Sequence, residues 1–267
     1  MKYKLFAILL SFSASCWAQK MDHVSSPIVQ EHRVSDVVTI TVKGVSFDMV
    51  RVEGGTFSMG ATAEQGEDVQ DDERPTPQVT LSTYYIGKYE VTQRLWKAVM
   101  GTYTSEFLGD DYPVGQVSWE DGRRFIAQLS RLTGKRFALP SEAQWEFAAR
   151  GGNKSRGYRY SGSSNLDDVA WYEDNCGQGV HKVGMKQANE LGLYDMSGNV
   201  IEWCQDWKGN YSSSSQTDPQ GPNTGDFRIM RGGCYLSGVI DCRVAVRFRD
   251  VPNQSYPEYG LRLVGLF

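Results

Sequence analysis

The amino-acid sequence predicts a single α+β domain that is rich in loops, with short mixed strands and about three helices. Short apolar segments with alternating residues recur along the chain, and three amphipathic segments carry clear helix ends. The sequence shows no repeat with a period of about 20 to 50 residues, so a repeat protein is not expected. The 28 glycines, 7 tryptophans and 14 tyrosines favour long loops held by aromatic side chains over a helical bundle.

The first residues are typical of an export signal. Two lysines precede a short apolar run, and small residues follow up to Ala18. This order predicts a cleaved signal peptide over residues 1–18 and a secreted or periplasmic protein, because the run is too short to span a membrane. A lipoprotein acylated at Cys16 is the alternative, which Ser13 disfavours because such signals usually carry an aliphatic residue there. No later run is long enough to predict a membrane span.

The next segments predict strands joined by turns. Residues 19–45 are expected to form a polar leader and a first strand, and residues 46–267 the main domain. Phe47–Met59 alternates around two glycines, which predicts a hairpin. Ala61–Pro77 is acidic, which favours a solvated loop over a second cation site. Val79–Tyr89 predicts another strand.

Three helices are expected in the middle of the chain. Thr92 caps the first, Ser118 caps the second, which Gly134 ends, and Ser141 caps the third, which ends at two glycines. Their apolar residues are interpreted as core, because nothing in their spacing suggests a cofactor site. The last third of the chain predicts hairpins at Arg228–Tyr235, Cys242–Arg249 and Gly260–Val264.

The stretch Glu190–Trp207 is the one around which the rest of the chain is organised. Its apolar run is interrupted by glycines, each of which favours a turn or a bulge. Asp195 and Glu202 flank a Ser-Gly-Asn turn, and oxygen ligands gathered around a turn are what calcium needs. A buried turn whose aspartate caps its own backbone explains the same residues without a metal ion.

The segment G-L-Y-D-M-S-G-N-V-I-E-W within this stretch resembles the signature of the formylglycine-generating enzyme (sulfatase-modifying factor) family. K-Y-E-V-T, P-V-G-Q-V-S-W, R-F-A-L-P-S-E-A-Q-W-E-F-A-A-R-G and R-I-M-R-G-G match further motifs of that family in its order, so the resemblance covers about residues 49–264. It implies an irregular C-type-lectin-like fold. It also implies a calcium ion on the turn, with ligands from the side chains of Asp195 and Glu202 and the carbonyl oxygens of Gly198 and Val200.

This chain lacks part of the set of residues that the family uses for its chemistry. Active members oxidise a sulfatase cysteine to formylglycine with two copper-binding cysteines that follow R-G-G, and in R-G-G-C-Y-L-S-G-V-I-D-C the first of them falls on Ser237. Counting from the left puts Cys242 in the second position. Aligning R-V-A-V-R with the family's arginine-rich strand does not put Cys242 in that position. We favour this second alignment, because a strand cannot shift its register by one residue without turning its side chains to the opposite face. Cys234 stands where the family has serine. At least one thiolate is missing either way, so copper is not expected and no residue is assigned as catalytic.

Three hypotheses for function follow. The first is an exported, calcium-stabilised, non-catalytic domain that binds a protein or peptide. The resemblance implies a groove for that ligand, and its walls would be formed by Tyr235, Arg243, Arg247 and Arg249, although strand arginines can also simply reach solvent. The second is an active or diverged formylglycine-generating oxidase, and the third is a C-type-lectin-like protein with a variable ligand-binding surface. The net charge of −4 and the absence of a basic cluster disfavour nucleic acid as a partner.

Four cysteines remain after the leader, and export makes disulfides the default for an even count. Sequence alone allows three pairings. The family fold implies that the segments around Cys204 and Cys242 run side by side, which predicts a bridge between them. Cys176 and Cys234 are then expected to form a second bridge. The identity of the partner and the oligomeric state stay open.

Overall fold

The computed structural model describes residues 36–102, 105–177 and 179–267. The predicted signal peptide and most of the leader lie outside these residues. In the described part the strands are β1 (Val37–Val42), β2 (Val45–Val52), β3 (Gly55–Ser58), β4 (Gln78–Leu81), β5 (Tyr84–Gly87), β6 (Phe137–Ala138), β7 (Ile201–Trp207), β8 (Gln216–Thr217), β9 (Arg228–Arg231), β10 (Phe248–Asp250), β11 (Tyr259–Gly260) and β12 (Val264–Gly265). The helices are α1 (Gln93–Met100), α2 (Trp119–Thr133), α3 (Glu142–Ala149) and the short α4 (Leu166–Val169).

The strands form three small sheets. The largest has the order β1-β2-β5-β12-β6, the second β10-β9-β7-β11, and the third β3-β4-β8. Pairing is antiparallel except for β11 with β7 and β4 with β8. Several neighbours are far apart in sequence, so the chain returns repeatedly to the same sheets. The architecture is therefore the loop-rich α+β arrangement that the sequence predicts.

The helix ends agree with the predicted caps. The Thr92 side chain accepts from the Leu95 amide at the start of α1, and Gly101 ends this helix in the left-handed conformation. Ser118 and Ser141 each form a capping box at the start of α2 and α3. These signals are local, because each cap satisfies backbone groups within one turn of itself.

Several sequence-based strand assignments are wrong. Phe47–Met59 is not a hairpin, because β2 and β3 belong to different sheets, and the predicted strand Val79–Tyr89 is divided between β4 and β5 in the same way. A Cβ on Gly54 would lie 2.5 Å from the Leu81 carbonyl oxygen, so the two crossover points pack directly on each other. The predicted first strand is confirmed as β1, which lies at the edge of its sheet and pairs with β2 along its length. Residues 243–247 form a turn rather than a strand, and only 248–250 are extended.

Ion pairs between buried side chains connect the segments that lack regular structure. Arg243 and Glu73 form two parallel hydrogen bonds of 2.6 and 2.8 Å, and both side chains are fully buried. Most of residues 61–77 are exposed, as their charge predicts, but Glu73 at the acidic end is anchored in the core. Glu142 pairs with Arg247 and Arg231, and Glu146 pairs with Arg231, which joins α3 to the C-terminal half. Glu146 also pairs with Arg150 directly after the helix, and Glu202 on β7 pairs with Arg262.

Removing the charge from Glu73 should strongly destabilise the fold. Glu73→Gln keeps the shape of the side chain but leaves the Arg243 guanidinium buried without a counterion, which costs roughly 3–5 kcal/mol. Asp111→Asn is the matched control, because Asp111 pairs with Arg94 on the surface and such pairs contribute about 0–1 kcal/mol. Urea denaturation of both variants measures the difference. Equal, small losses in the two variants would contradict the anchoring role of Glu73.

Candidate functional site

The segment in which the resemblance places the catalytic residues, from Cys234 to Cys242, forms a tight loop after β9. Gly233 is in the left-handed region, with φ of +70°, and a Cβ there would lie 3.1 Å from Cys242 Sγ and 3.2 Å from Ser237 Oγ. Cys234 Sγ lies 3.6 Å from the same hydroxyl, and the Cys234 amide donates to it at 3.0 Å. The three candidate catalytic residues are therefore brought together. Because 243–247 is not a strand, the register argument against Cys242 does not apply.

The thiols at this site are poorly suited to thiolate chemistry. Cys234 and Cys242 are both buried, and burial raises the pKa of each thiol above its usual value. For Cys242 the neighbouring thiol of Cys234 and the carboxylates of Asp241 and Glu173 raise the pKa further. Reactive or metal-binding cysteines instead have a lowered pKa beside a positive charge. The site therefore favours neutral thiols.

The outer side of the same loop is apolar and exposed. Leu236, Val239 and Ile240 are 58%, 41% and 44% exposed. We refer to these three residues as the apolar loop. Three exposed aliphatic side chains within five residues are unusual on a protein surface that has no partner. Exposing apolar surface to water is unfavourable, and a partner that covers these side chains removes that cost.

A side pocket of about 370 Å³ adjoins the apolar loop. It is lined by Phe107, Leu108, Tyr112, Cys176, Gly179, Val180 and His181. The Phe107 ring contacts the Tyr235 ring edge to face at 5.7 Å, and Cys176 Sγ donates to the Tyr235 carbonyl at 3.1 Å, which connects the pocket to the residue that precedes the apolar loop. Leu108 at its edge is 67% exposed. The pocket and the apolar loop therefore adjoin each other through Tyr235.

The arginines expected to line a groove do not do so. Arg243 and Arg247 are buried in the ion pairs with Glu73 and Glu142, and neither reaches solvent. Arg249 on β10 is exposed and lies 5.6 Å from the Phe227 ring. Tyr235 is buried, and burial raises its pKa to about 12. The groove assignment is therefore wrong for Arg243 and Arg247, because guanidinium groups without access to water need a carboxylate partner.

The turn assigned to calcium is buried and already partly satisfied. Asp195 Oδ2 accepts a hydrogen bond of 2.7 Å from the Gly184 amide. Glu202 accepts from Trp145 Nε1 at 2.7 Å and from the Arg262 guanidinium at 2.7–3.0 Å. These bonds occupy about all four of the lone-pair sites that a carboxylate offers. Glu202 is therefore paired with a guanidinium that was not predicted from the sequence.

Glu90 is a third buried carboxylate at this turn, and sequence reasoning also missed it. One of its oxygens accepts from the Val200 amide at 3.1 Å. Burial raises the pKa of Glu90 well above its usual value, and the charge of Asp195 raises it further. Burial also raises the pKa of Asp195 to about 6. Its position in the K-Y-E-V-T motif was the available signal, but that motif was interpreted as packing. Glu90 and Asp195 are near enough for their charges to interact with Arg262, which pairs with Glu202. Among the described residues, no group of three or more acidic, histidine or cysteine side chains is arranged to hold a metal ion.

The disulfides predicted from the resemblance are not formed. All four described cysteines are free, and each packs in a different hydrophobic cluster of the core. Cys204 is on β7 beside the α3 residues Trp145 and Ala148, whereas Cys242 packs with Tyr160 and the residues of α4. Separate packing environments explain why the predicted pairs do not meet.

The fold and this site define a loop-rich α+β domain with a C-type-lectin-like arrangement. Residues 38–265 match the sulfatase-modifying factor enzyme 1-like domain. The chain belongs to this family.

Known relatives and a solved structure agree with this assignment. The chain is 33% identical to the chaperone protein LppX of Paenibacillus barcinonensis, covering 82% of this chain and 90% of that protein. It is 29% identical to the formylglycine-generating enzyme of Thermomonospora curvata, covering 85% and 96%. The structure of variable protein 1 of Treponema denticola superimposes with a TM-score of 0.79 and 30% identity, covering 87% and 99%. No helix in residues 36–102, 105–177 and 179–267 is long and apolar enough to cross a membrane.

The buried thiols should be unreactive in the folded protein. Burial raises the pKa of Cys204 and Cys242, so native protein should react slowly with a thiol reagent and rapidly after unfolding in denaturant. Peptide mapping under non-reducing conditions should find no cross-linked cysteine peptides. Recovery of a peptide that links Cys204 to Cys242 would show that the sequence-based pairing was right and the free-thiol arrangement wrong.

Proposed function

We propose that this chain is an exported, non-catalytic member of its family that binds a protein or peptide through the apolar loop and the side pocket. The observation that carries the proposal is the exposure of Leu236, Val239 and Ile240 on the loop where active relatives hold their chemistry. The name of the relative LppX, a chaperone, supports a protein ligand. Export rests on the predicted signal peptide.

Two features of the site argue against formylglycine generation. Ser237 stands in place of the first thiolate, and a hydroxyl is a poor ligand for copper(I). Burial raises the pKa of the neighbouring Cys234 and Cys242 thiols, which disfavours thiolate formation. A diverged oxidase that uses these two cysteines is the alternative, supported by the likeness to the Thermomonospora enzyme.

A variable ligand-binding protein is the second candidate function. It is favoured by the likeness to the Treponema variable protein over most of both chains. The apolar loop would then be one version of a surface that differs among related copies. The rigid elements on either side of the loop suit this role, because loops tolerate sequence change better than the scaffold that holds them.

Replacing one residue of the apolar loop should weaken ligand binding. Peptides selected with the wild-type domain from a displayed random library should bind Ile240→Asp at least about tenfold more weakly, because a charge would then be buried against an apolar ligand. Leu132→Asp is the matched control, since Leu132 is an exposed aliphatic residue on α2. Peptide affinities measured by fluorescence anisotropy test this. Failure to select any peptide, or equal losses in both variants, would contradict the proposal.

We also propose that calcium binds at the turn of Asp195, with the Gly198 and Val200 carbonyl oxygens as ligands and Glu202 shared with Arg262. The three buried carboxyl groups near the turn support a cation there, whereas no group of three such side chains in the described residues is arranged to hold a metal ion. The occupied lone pairs of Glu202 are the feature that opposes it.

Calcium should therefore raise the melting temperature of the wild-type protein by mass action. Asp195→Asn should erase that rise, because Asp195 is the carboxylate with an oxygen still available. Asp174→Asn, at an exposed site, should leave it unchanged. Differential scanning calorimetry with and without calcium measures the shift. A wild-type protein that does not respond would show that Arg262 alone neutralises the turn.

A further inference from the structure

A cleft of about 500 Å³ lies between α2 and β6, and it shares no residue with the side pocket. One face of α2 forms one wall, with Arg123, Ile126, Ala127 and Ser130 at helical spacing. The other wall includes β6, which is the edge strand of the largest sheet. Among the described residues that line the cleft, Arg123 is the one ionisable side chain, and none is a carboxylate. A negatively charged ligand would therefore meet no repulsion from the walls.

Two arginines stack on tryptophan rings beside this cleft. The Cζ atom of Arg228 on β9 lies 3.8 Å from the centre of the Trp119 ring and 3.4 Å from that of Trp207, so its guanidinium lies between the two indoles. Cζ of Arg123 lies 5.0 Å from the same Trp119 ring. Neither arginine forms an ion pair with a carboxylate of the described chain. Two cations without counterions thus lie on one tryptophan, in a chain in which acidic residues outnumber basic ones.

Arg228 uses only one side of its guanidinium within the fold. Nη1 donates to the Gln205 carbonyl oxygen at 2.6 Å, whereas Nε is enclosed and has no hydrogen-bond partner among the described residues. Nη2 also donates to no described residue, and the side chain as a whole is only half-buried. Nε and Nη2 form the planar edge with which an arginine binds both oxygens of a carboxylate. An enclosed N–H group without an acceptor is costly, and a ligand that supplies one removes that cost.

The charges around Arg228 favour an anion. Burial, and then the charge of Arg123, lower the pKa of Arg228 to about 10, so it stays protonated at neutral pH. Asp206 is near enough for its charge to oppose this shift, but its Oδ2 accepts from the Glu142 amide at 2.9 Å and it forms no ion pair with Arg228. A negative charge beside the two guanidinium groups would relieve their mutual repulsion.

Two glutamines add donors to the cleft. Gln144 on α3 uses its Oε1 to accept from the Ser141 amide, and its Nε2 donates to no described residue. The Gln205 side chain forms no hydrogen bond within the described chain. Ile126 and Leu139 supply apolar surface to the same cleft. The cleft thus offers a positive charge and amide donors for oxygen atoms, and aliphatic side chains for an apolar group.

We propose that the cleft binds a small organic carboxylate, with the carboxylate group beside Arg123 and Arg228 and the apolar part of the ligand along α2. The planar carboxylate matches the Nε–Nη2 edge of Arg228 and supplies the acceptors that this edge lacks. Arg123 adds a second positive charge, and Gln144 and Gln205 are placed to donate to further oxygens of the ligand. The site shares no residue with the apolar loop or the side pocket, so it does not depend on the proposed peptide binding.

Isothermal titration calorimetry with cinnamate as the probe tests this site. The wild-type protein should bind cinnamate at least about tenfold more tightly than cinnamyl alcohol, its neutral counterpart, because only the anion pairs with the guanidinium groups. Arg123→Gln should weaken cinnamate binding at least about fivefold through the loss of one charge. Arg228→Lys should weaken it as much, because lysine keeps the charge but lacks the planar edge. Arg124→Gln is the matched control and should bind as the wild type does, since Arg124 is paired with Asp121.

Circular dichroism and thermal melting establish which variants are folded. Arg123 is exposed on α2, so Arg123→Gln and its control Arg124→Gln decide the matter even where Arg228→Lys does not fold. No binding of cinnamate by the wild type would overturn the proposal, and so would equal binding of cinnamate and cinnamyl alcohol. Equal losses in Arg123→Gln and Arg124→Gln would overturn it as well, because they would reflect the net charge of the protein rather than a site.

Discussion

The buried pairing of arginines with carboxylates is the constraint on which the rest of the structure depends. Much of the C-terminal half is not held by long strands, and Arg231, Arg243, Arg247 and Arg262 each reach an acidic partner on another element. Breaking such a pair leaves an uncompensated charge in the core, so each pair specifies where its segment lies. Arg243 and Arg247 thereby hold the chain immediately after Cys242 and set the position of the loop before it.

This arrangement separates the scaffold from the surface. The residues that hold the loop point into the core, whereas Leu236, Val239 and Ile240 point to solvent and make few demands on the fold. Such a loop can change its outer residues without loss of stability, as binding loops on rigid scaffolds generally do. Ser237 contributes to the loop itself, since its hydroxyl accepts a hydrogen bond of 3.0 Å from the Cys234 amide.

Local features of the fold could be predicted from the sequence, and distant ones could not. The caps Thr92, Ser118 and Ser141 were predicted because capping depends on residues within one turn. The change of sheet between β2 and β3 at Gly54 was not predicted, because it depends on the contact of Gly54 with Leu81, a residue distant in sequence. The partner of Arg243 is 170 residues away, at Glu73, and nothing in the arginine's own surroundings indicates it. The motif around Asp195 identified the turn, but Glu90 and Arg262 come from segments whose charged residues were interpreted as packing.

The most direct measurement is an assay for formylglycine with purified protein, a cysteine-containing sulfatase peptide, copper and a reductant in air. Mass spectrometry of the peptide detects conversion of the cysteine to the aldehyde. With Ser237 in the first position and buried thiols of raised pKa at Cys234 and Cys242, the peptide is predicted to be recovered unchanged. Aldehyde formation that Cys242→Ser abolishes would contradict a binding role without catalysis.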